Sequence, residues 1–392
     1  MDKLKEEGLY FVHGFYREES NIPDEYNEKA SDHIILFQDR IDLPEALSAY
    51  DVPLNYYLHD RNLIEGDFVV FDGDTLSNAE NNPISIMYKE LTNQIIQQIN
   101  YSNLHNHPDS TELKATKVHS YHINVGHGNC SIVVFYANHK WQMWMIDCSY
   151  FDFTNHHNNY SKIQKCLKNI ENQYDVTCIS KLLITHLHYD HINAIDKLIT
   201  DGYITKNTEI WMNTYYPWYQ PSYLRIQTNL RALNVKFIDP IISNSTEHIN
   251  ILYPSVSFDK NHLPPRKKIN NASVIYQINF LGKSMLFPGD IETDGWNNVE
   301  LCFPFLEESY YYCISHHGSI TGHLRNECIY RNHIRTLADC NISRIQILMG
   351  RNNAYRGIYS QSVIDDFNNI YKVEDSENYI KIDWITDEIE TY

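Results

Sequence analysis

Thr185-His186-Leu187-His188-Tyr189-Asp190-His191 gathers three imidazoles and a carboxylate into a few consecutive positions, a density with few uses other than gripping metal. Ahead of it, Lys181-Leu182-Leu183-Ile184 is a short apolar run that reads as a buried strand. Behind it, Ile192, Ile195, Leu198 and Ile199 recur at helical spacing. The motif therefore occupies a strand-to-helix turn. A sharp change of chain direction there lets His186 and His188 address one cation while Asp190 and His191 reach a second. Neutral imidazole nitrogen and carboxylate oxygen suit zinc, manganese or iron. The expectation is two divalent metal ions, Zn or Mn.

Other stretches fall into order around this turn. Gly126-His127-Gly128-Asn129 is a glycine turn ahead of an apolar strand, and Trp144-Met145-Ile146-Asp147-Cys148-Ser149 ends a strand on an aspartate. Asn270-Asn271-Ala272-Ser273, Phe287-Pro288-Gly289-Asp290, Ile314-Ser315-His316-His317-Gly318-Ser319 and Met349-Gly350-Arg351-Asn352-Asn353-Ala354-Tyr355 follow. Together, over roughly residues 118 to 372, they resemble the metallo-beta-lactamase fold superfamily, and within it the ComEC type, the beta-lactamase-like domain of DNA-uptake competence proteins.

That resemblance implies a set of roles. His186 and His188 would hold the first metal; Asp190, His191 and one histidine of the HHGS turn the second, with Asp290 between them. His316 comes first after the strand and is taken as the ligand, leaving His317 to donate to a phosphoryl oxygen or leaving group, although the two roles can be exchanged. Asp147 would orient a ligand imidazole. Asn271, Ser273 and Asn353 are substrate-pocket residues by resemblance, and Lys267 belongs to the one compact basic cluster near the motifs, Arg266-Lys267-Lys268. The implied chemistry is in-line attack on phosphorus by a hydroxide shared between two metals, in a phosphodiesterase or nuclease. The same site serves lactone or thioester hydrolysis equally well. A non-catalytic metal-binding interaction module is a third reading.

Three departures stand against the pattern. Most members of the superfamily carry a further histidine between the first motif and the bridging aspartate, whereas the strand Glu209-Ile210-Trp211-Met212 here runs into Asn213-Thr214. Neither His248 nor His262 fits that slot. Gly357 stands where the late loop often has a histidine. The polytopic membrane part of the best-known ComEC-type proteins has no counterpart.

The 392 residues, 43% hydrophobic and 21% charged, suffice for one large domain and a smaller one. No apolar run approaches the roughly 18 residues of a membrane span, and the start lacks the apolar core of a secretory signal. Eight cysteines without a C-x-x-C pair indicate neither a disulfide framework nor a zinc ribbon. A cytoplasmic enzyme is expected. Lys and Arg number 32 against 50 Asp and Glu, a net charge of -18, so duplex binding through a basic face is disfavoured. A dimetal centre could still draw in a nucleotide or a single strand.

The fold expected is α/β, a metallo-beta-lactamase αββα sandwich with a small N-terminal β-rich domain. Residues 1–105 would form that domain, ending in a helix opened by Pro83; its stretch Gly66-Asp67-Phe68-Val69-Val70-Phe71 resembles a strand of OB or cold-shock barrels, beside the plainer reading of a small barrel that packs on the catalytic domain. It could bind a protein partner. Residues 106–117 read as a linker, and 118–392 as the catalytic domain. Helices are expected over 161–172 and 362–370, and the aromatic run Tyr215-Tyr216-Pro217-Trp218-Tyr219 is a candidate pocket wall.

Overall fold

A computed structural model describes residues 7–17, 32–38, 47–53, 63–103, 106–109, 112–213, 218–254, 269–296, 309–323, 345–354 and 357–392. Lys267, its neighbours Arg266 and Lys268, His262, Tyr215 to Pro217 and Tyr355 lie outside these residues.

Five antiparallel strands come first: β1 (Gly8–Arg17), β2 (Asp32–Gln38), β3 (Ser48–Pro53), β4 (Phe68–Phe71) and β5 (Leu76–Asn78), paired in the order β3-β2-β1-β4-β5. Alternate side chains divide between two faces, as the two-residue period of a strand requires. Tyr10, Val12, Leu36 and Val69 build a core on one side. Phe11, Phe37 and Phe68 turn to the other, where they join the apolar cluster of the main body. The first sheet is therefore closed on one face by the rest of the chain. Helix α1 (Pro83–Asn103) begins at its proline, where the missing N–H has no intrahelical partner to lose.

Two larger sheets follow. The first comprises β6 (Ala115–Ile123), β7 (Cys130–Ala137), β8 (Lys140–Cys148), β11 (Lys181–Leu183), β12 (Glu209–Trp211), β13 (Lys236–Ile238), β20 (Tyr379–Asp383) and β21 (Ile389–Thr391), in the order β13-β12-β11-β8-β7-β6-β20-β21. A two-residue pair, β9 (Phe151–Asp152) and β10 (His157–Asn158), lies in the connection after β8. The second sheet runs in sequence order through β14 (Ile249–Tyr253), β15 (Ile275–Phe280), β16 (Lys283–Phe287), β17 (Tyr311–Cys313), β18 (Ile345–Leu348) and β19 (Ile370–Lys372).

The two sheets share one core. Phe135, Trp144, Ile146 and Leu183 from the first meet Tyr276, Met285, Phe287 and Tyr311 from the second. Each such buried side chain contributes about 1.5–3 kcal/mol. On the far face of the first sheet lie α2 (Tyr160–Tyr174), the short turns α3 (Tyr189–Ile192) and α4 (Ile195–Thr200), and α5 (Pro221–Ala232). Ile163, Leu167 and Ile170 of α2 recur at helical spacing and point inward. On the far face of the second sheet, Tyr312, Leu348 and Trp296 pack with Val363 from α6 (Gln361–Ile364).

Two expectations are corrected. The helix read over 362–370 stops at Ile364, because Asp365-Asp366 and Asn368-Asn369 are poor helix formers and Ile370 is taken up by β19 beside β18. The linker is shorter than 106–117, since β6 already begins at Ala115 and pairs with Ala137. Among the described residues, no helix is long and apolar enough to cross a membrane.

Candidate metal centre

The site forms where several strands end. β8, β11, β12 and β13 run parallel, as do β16, β17, β18 and β19. Their C-terminal ends therefore leave each sheet along one edge. Asp147 sits at the end of β8, the His186 to His191 turn follows β11, Asp290 follows β16, and the His316-His317 turn follows β17. Backbone hydrogen bonds bind these ends together. The amide of Val274 donates to the Thr185 carbonyl at 2.7 Å, that of His316 to the Gly289 carbonyl at 3.1 Å, and that of Asn129 to the Asp190 carbonyl at 3.0 Å. The last contact needs a glycine next door. At Gly128, with φ of 133°, a Cβ would lie 2.5 Å from Ser149 Oγ and 2.7 Å from the Asp190 carbonyl.

Four buried residues from three segments bring their ligand atoms within 4.8 Å of one another: Asp190, His191, Asp290 and His317. His317 Nε2 is 3.5 Å from Asp190 Oδ2 and 3.4 Å from Asp290 Oδ2, and His191 Nε2 is 3.4 Å from Asp290 Oδ1. A second group, His13, His188 and Asp190, meets the same distance limit. Asp190 belongs to both. His186 stands beside them with Nε2 4.0 Å from Asp290 Oδ2.

The chemistry of these atoms supports a cation. His186 Nε2, His188 Nε2, His191 Nε2, His317 Nδ1 and Nε2, Asp190 Oδ1 and Asp290 Oδ1 are buried without a hydrogen bond. A buried polar atom left so costs about 1–3 kcal/mol. Such a convergence is sustained when something positive and dehydrated sits among the lone pairs. Asp147 supplies support from behind: its carboxylate accepts from the Thr185 amide and hydroxyl, each at 2.8 Å, and Oδ2 lies 2.8 Å from His191 Nδ1. That contact fixes which nitrogen of His191 faces the cage.

Electrostatics divide the cage. Burial, then the neighbouring His191, hold the His186 imidazole far below its ordinary range. Burial also lowers His188, to about 4. Burial thus favours the neutral form of both rings. At His317 burial works downward, but the Asp290 and Asp190 carboxylates outweigh it and push the ring up to about 9. Burial opposes ionisation of Asp190 and Asp290, yet the surrounding imidazoles hold both carboxyls well below the usual carboxylate range.

The structure sets the two histidines of the HHGS turn apart. Both are in the left-handed region, at φ of 48° and 49°, and their ring centroids are 6.4 Å apart. His317 points into the cage. His316 is turned outward, its Nδ1 3.4 Å from Glu292 Oε1 and 3.3 Å from Thr321 Oγ1. The substrate-binding candidates also differ in placement. Asn271 is fully buried, with its side-chain oxygen accepting from the Glu292 amide at 3.2 Å and the Gly295 amide at 2.7 Å, so it braces the turn after Asp290. Ser273 is buried with an unpartnered hydroxyl oxygen. Asn353 is exposed on a turn, and Lys267 lies outside the described residues.

Two histidines at the site were not among the expected residues. His127, from the glycine turn, is buried with Nε2 3.2 Å from Asp190 Oδ2 and its ring 4.5 Å from that of His317. An imidazole set between the two glycines of Gly126-His127-Gly128 was the available signal. His13, from β1, has its ring 4.4 Å from that of His188. The only sequence signal for it is an imidazole beside a glycine in the otherwise apolar Tyr10-Phe11-Val12-His13-Gly14-Phe15. Trp218 completes this wall, 5.4 Å from His188 and fully buried.

No family model matches the chain, and a search of curated proteins returns no match. Among solved structures, the chain is similar to a protein described as a new diphosphatase from the PhnP family, at 10% identity and a TM-score of 0.37, over 70% of this chain and 99% of the other.

Proposed function

We propose that this protein is a metal-dependent hydrolase of phosphoric esters, built as a metallo-beta-lactamase-like αββα sandwich with the N-terminal sheet as an added part, and that phosphodiesters of nucleotides or single-stranded nucleic acid are its substrates. The observation that carries the reading is the convergence of buried, unpartnered imidazole and carboxylate atoms from Asp190, His191, Asp290, His317, His186 and His188.

In this reading Asp190, His191, Asp290 and His317 would hold one divalent ion, and His186 and His188 would help to hold a second. His317 is taken as ligand in preference to His316, because only its ring reaches the carboxylates. Zinc or manganese there would supply an activated water near neutral pH and charge neutralisation at phosphorus. The protein's own residues do the rest. Asp147 keeps His191 in the tautomer that presents Nε2. Asn271 secures the Asp290 turn, and Gly128 lets the Asn129 amide bind the carbonyl of Asp190. With a net charge of -18, the chain has little general attraction for polyanions, so a short or single-stranded substrate entering at the cations fits better than a duplex.

The deciding test is a screen of purified protein with zinc, manganese and magnesium in turn, against bis-p-nitrophenyl phosphate, single-stranded DNA, a lactone and a thioester. Metal-stimulated cleavage of the phosphodiesters, abolished by chelation, is expected. Turnover confined to the lactone or thioester would overturn the substrate class. Chelator-insensitive turnover would overturn the metal reading.

A further inference from the structure

Among the described residues of the N-terminal sheet, His13 is the one whose ligand atom joins the cage, and its geometry is unusual. Along β1, Val12 pairs with Leu36 and Gly14 with Ile35, so His13 is an extra residue with no partner on β2. The face assignments show the same slip. Tyr10 and Val12 lie in the core of the N-terminal sheet, and after the bulge it is Phe15, not Gly14, that packs on that core. A bulge of this kind bends the strand and re-aims the side chain it carries. Here it aims an imidazole into the main body, where Phe37 stacks on it at 4.1 Å with an 18° tilt and Phe153 closes the edge at 5.6 Å.

Held in this aromatic slot, the His13 ring is almost fully buried and its Nδ1 has no hydrogen-bond partner. Its ligand atom lies within 4.8 Å of those of His188 and Asp190. His188 Nε2 and Asp190 Oδ1 are likewise buried without partners. One ligand atom from each of these three residues, drawn from β1 and from the turn after β11, lies within 4.8 Å of the others, and each residue carries a buried polar atom without a partner. The strand that ends at Trp211 contributes no histidine beside His188, and Trp218 instead walls that side at 5.4 Å.

We propose that His13 is a direct metal ligand, sharing a divalent cation with His188 and Asp190, so that the metal centre is completed by the N-terminal sheet. The inference rests on the metal reading above but assigns a residue which that reading leaves out. It makes the N-terminal sheet part of the active centre, and cation binding then ties the two parts of the chain together.

Metal binding, read without reference to turnover, separates the two claims. Zinc or cobalt titration of apo-protein by calorimetry should give two tight equivalents for the wild type. His13→Phe keeps the stack on Phe37 but offers no lone pair. It should lose one equivalent, or bind it at least about 100-fold more weakly, since even partners that only orient a ligand are worth 10–100-fold. Its other equivalent should remain. Wild-type crystals grown with zinc should show an anomalous peak within about 2.1 Å of a ring nitrogen of His13, a readout that stands even if the variant does not fold. Two unaltered equivalents in His13→Phe, or zinc in the cage but away from His13, would overturn the proposal and leave the metal reading intact. A wild-type cage that takes up no metal would overturn both.

Discussion

His122 and the cage histidines are equally buried, yet their nitrogens are treated in opposite ways. On β6, His122 Nδ1 lies 3.0 Å from Ser131 Oγ and Nε2 3.3 Å from Ser120 Oγ, and Ser120 Oγ in turn accepts from Trp384 Nε1 at 3.1 Å. Both ring nitrogens are satisfied by protein. At the strand ends, His186, His188, His191 and His317 each present Nε2 without a hydrogen bond. A closed network of hydroxyls around an imidazole serves packing. Open nitrogens converging on carboxylates are poised for a cation. Burial alone does not distinguish the two. The accounting of lone pairs does.

The hardest test of that contrast is removal of the residue common to both ligand groups. Asp190→Ala should lower kcat/KM for a phosphodiester by on the order of 1,000-fold or more, about 4 kcal/mol, while circular dichroism stays native. Activity within tenfold of wild type would mean that the cage is not the reacting centre. No such loss is expected at His122, where His122→Asn should leave turnover almost unchanged.

The HHGS turn carries the same contrast within two adjacent residues. His317→Ala, which takes away a ring 3.4 Å from Asp290, should reduce turnover by about 100-fold or more, since on the proposed reading it removes a ligand rather than a ligand's support. His316→Ala removes only a partner of Glu292 and Thr321, and a change under about tenfold is expected. Equal losses, measured side by side in kcat/KM, would erase the distinction drawn from the geometry.

Both histidines of that turn could be read from the sequence, but their orientation could not. It depends on two successive left-handed residues held by the Gly289 carbonyl and by Gly350, where a Cβ would lie 2.8 Å from His317 Nδ1. The cluster from His186 to His191 was legible because its ligand types are neighbours in sequence and are framed by a strand and helical spacing. His13 was not, for the opposite reason: the rest of the N-terminal sheet, α1, α2 and the strands β6 to β11 separate it from His188 in the chain, and the β1 bulge helps to bring them together. Asn271 illustrates a third case. Its place near a motif could be read, but not that its side-chain oxygen accepts from the Glu292 and Gly295 amides. The sheets themselves were largely readable, since β7, β8 and β16 each carry an unbroken apolar run, Ile132 to Phe135, Met143 to Ile146 and Met285 to Phe287, of the kind buried on both faces. The helix expected over 362–370 failed because pairing with β18 overrode local spacing at Ile370.

Asp147 tests the support of the cage. Asp147→Asn keeps the shape but weakens the hold on His191 Nδ1, now 2.8 Å away. Metal affinity should fall by about 10–100-fold, measured by competition with a chromophoric chelator, and added metal should restore much of the activity. Irrecoverable loss at saturating metal would assign Asp147 a role beyond orientation.

The smallest effect belongs to the closed histidine and concerns stability. Burial lowers His122 from its ordinary 6.5 to about 3. Below pH 6.5 the unfolded chain therefore takes up a proton that the folded one refuses. The contribution of the neutral ring is fully present above pH 6.5 and is lost as pH falls toward 3, at no more than about 1.4 kcal/mol per pH unit. In His122→Asn that component vanishes, so urea midpoints between pH 6 and 4 should fall less steeply than in wild type, even though the variant is about 1 kcal/mol less stable at pH 7 for want of its serine contacts. Parallel slopes for the two proteins would show that the ring gains a proton while folded, and the closed network would then lose its claim to be the neutral, purely structural counterpart of the cage.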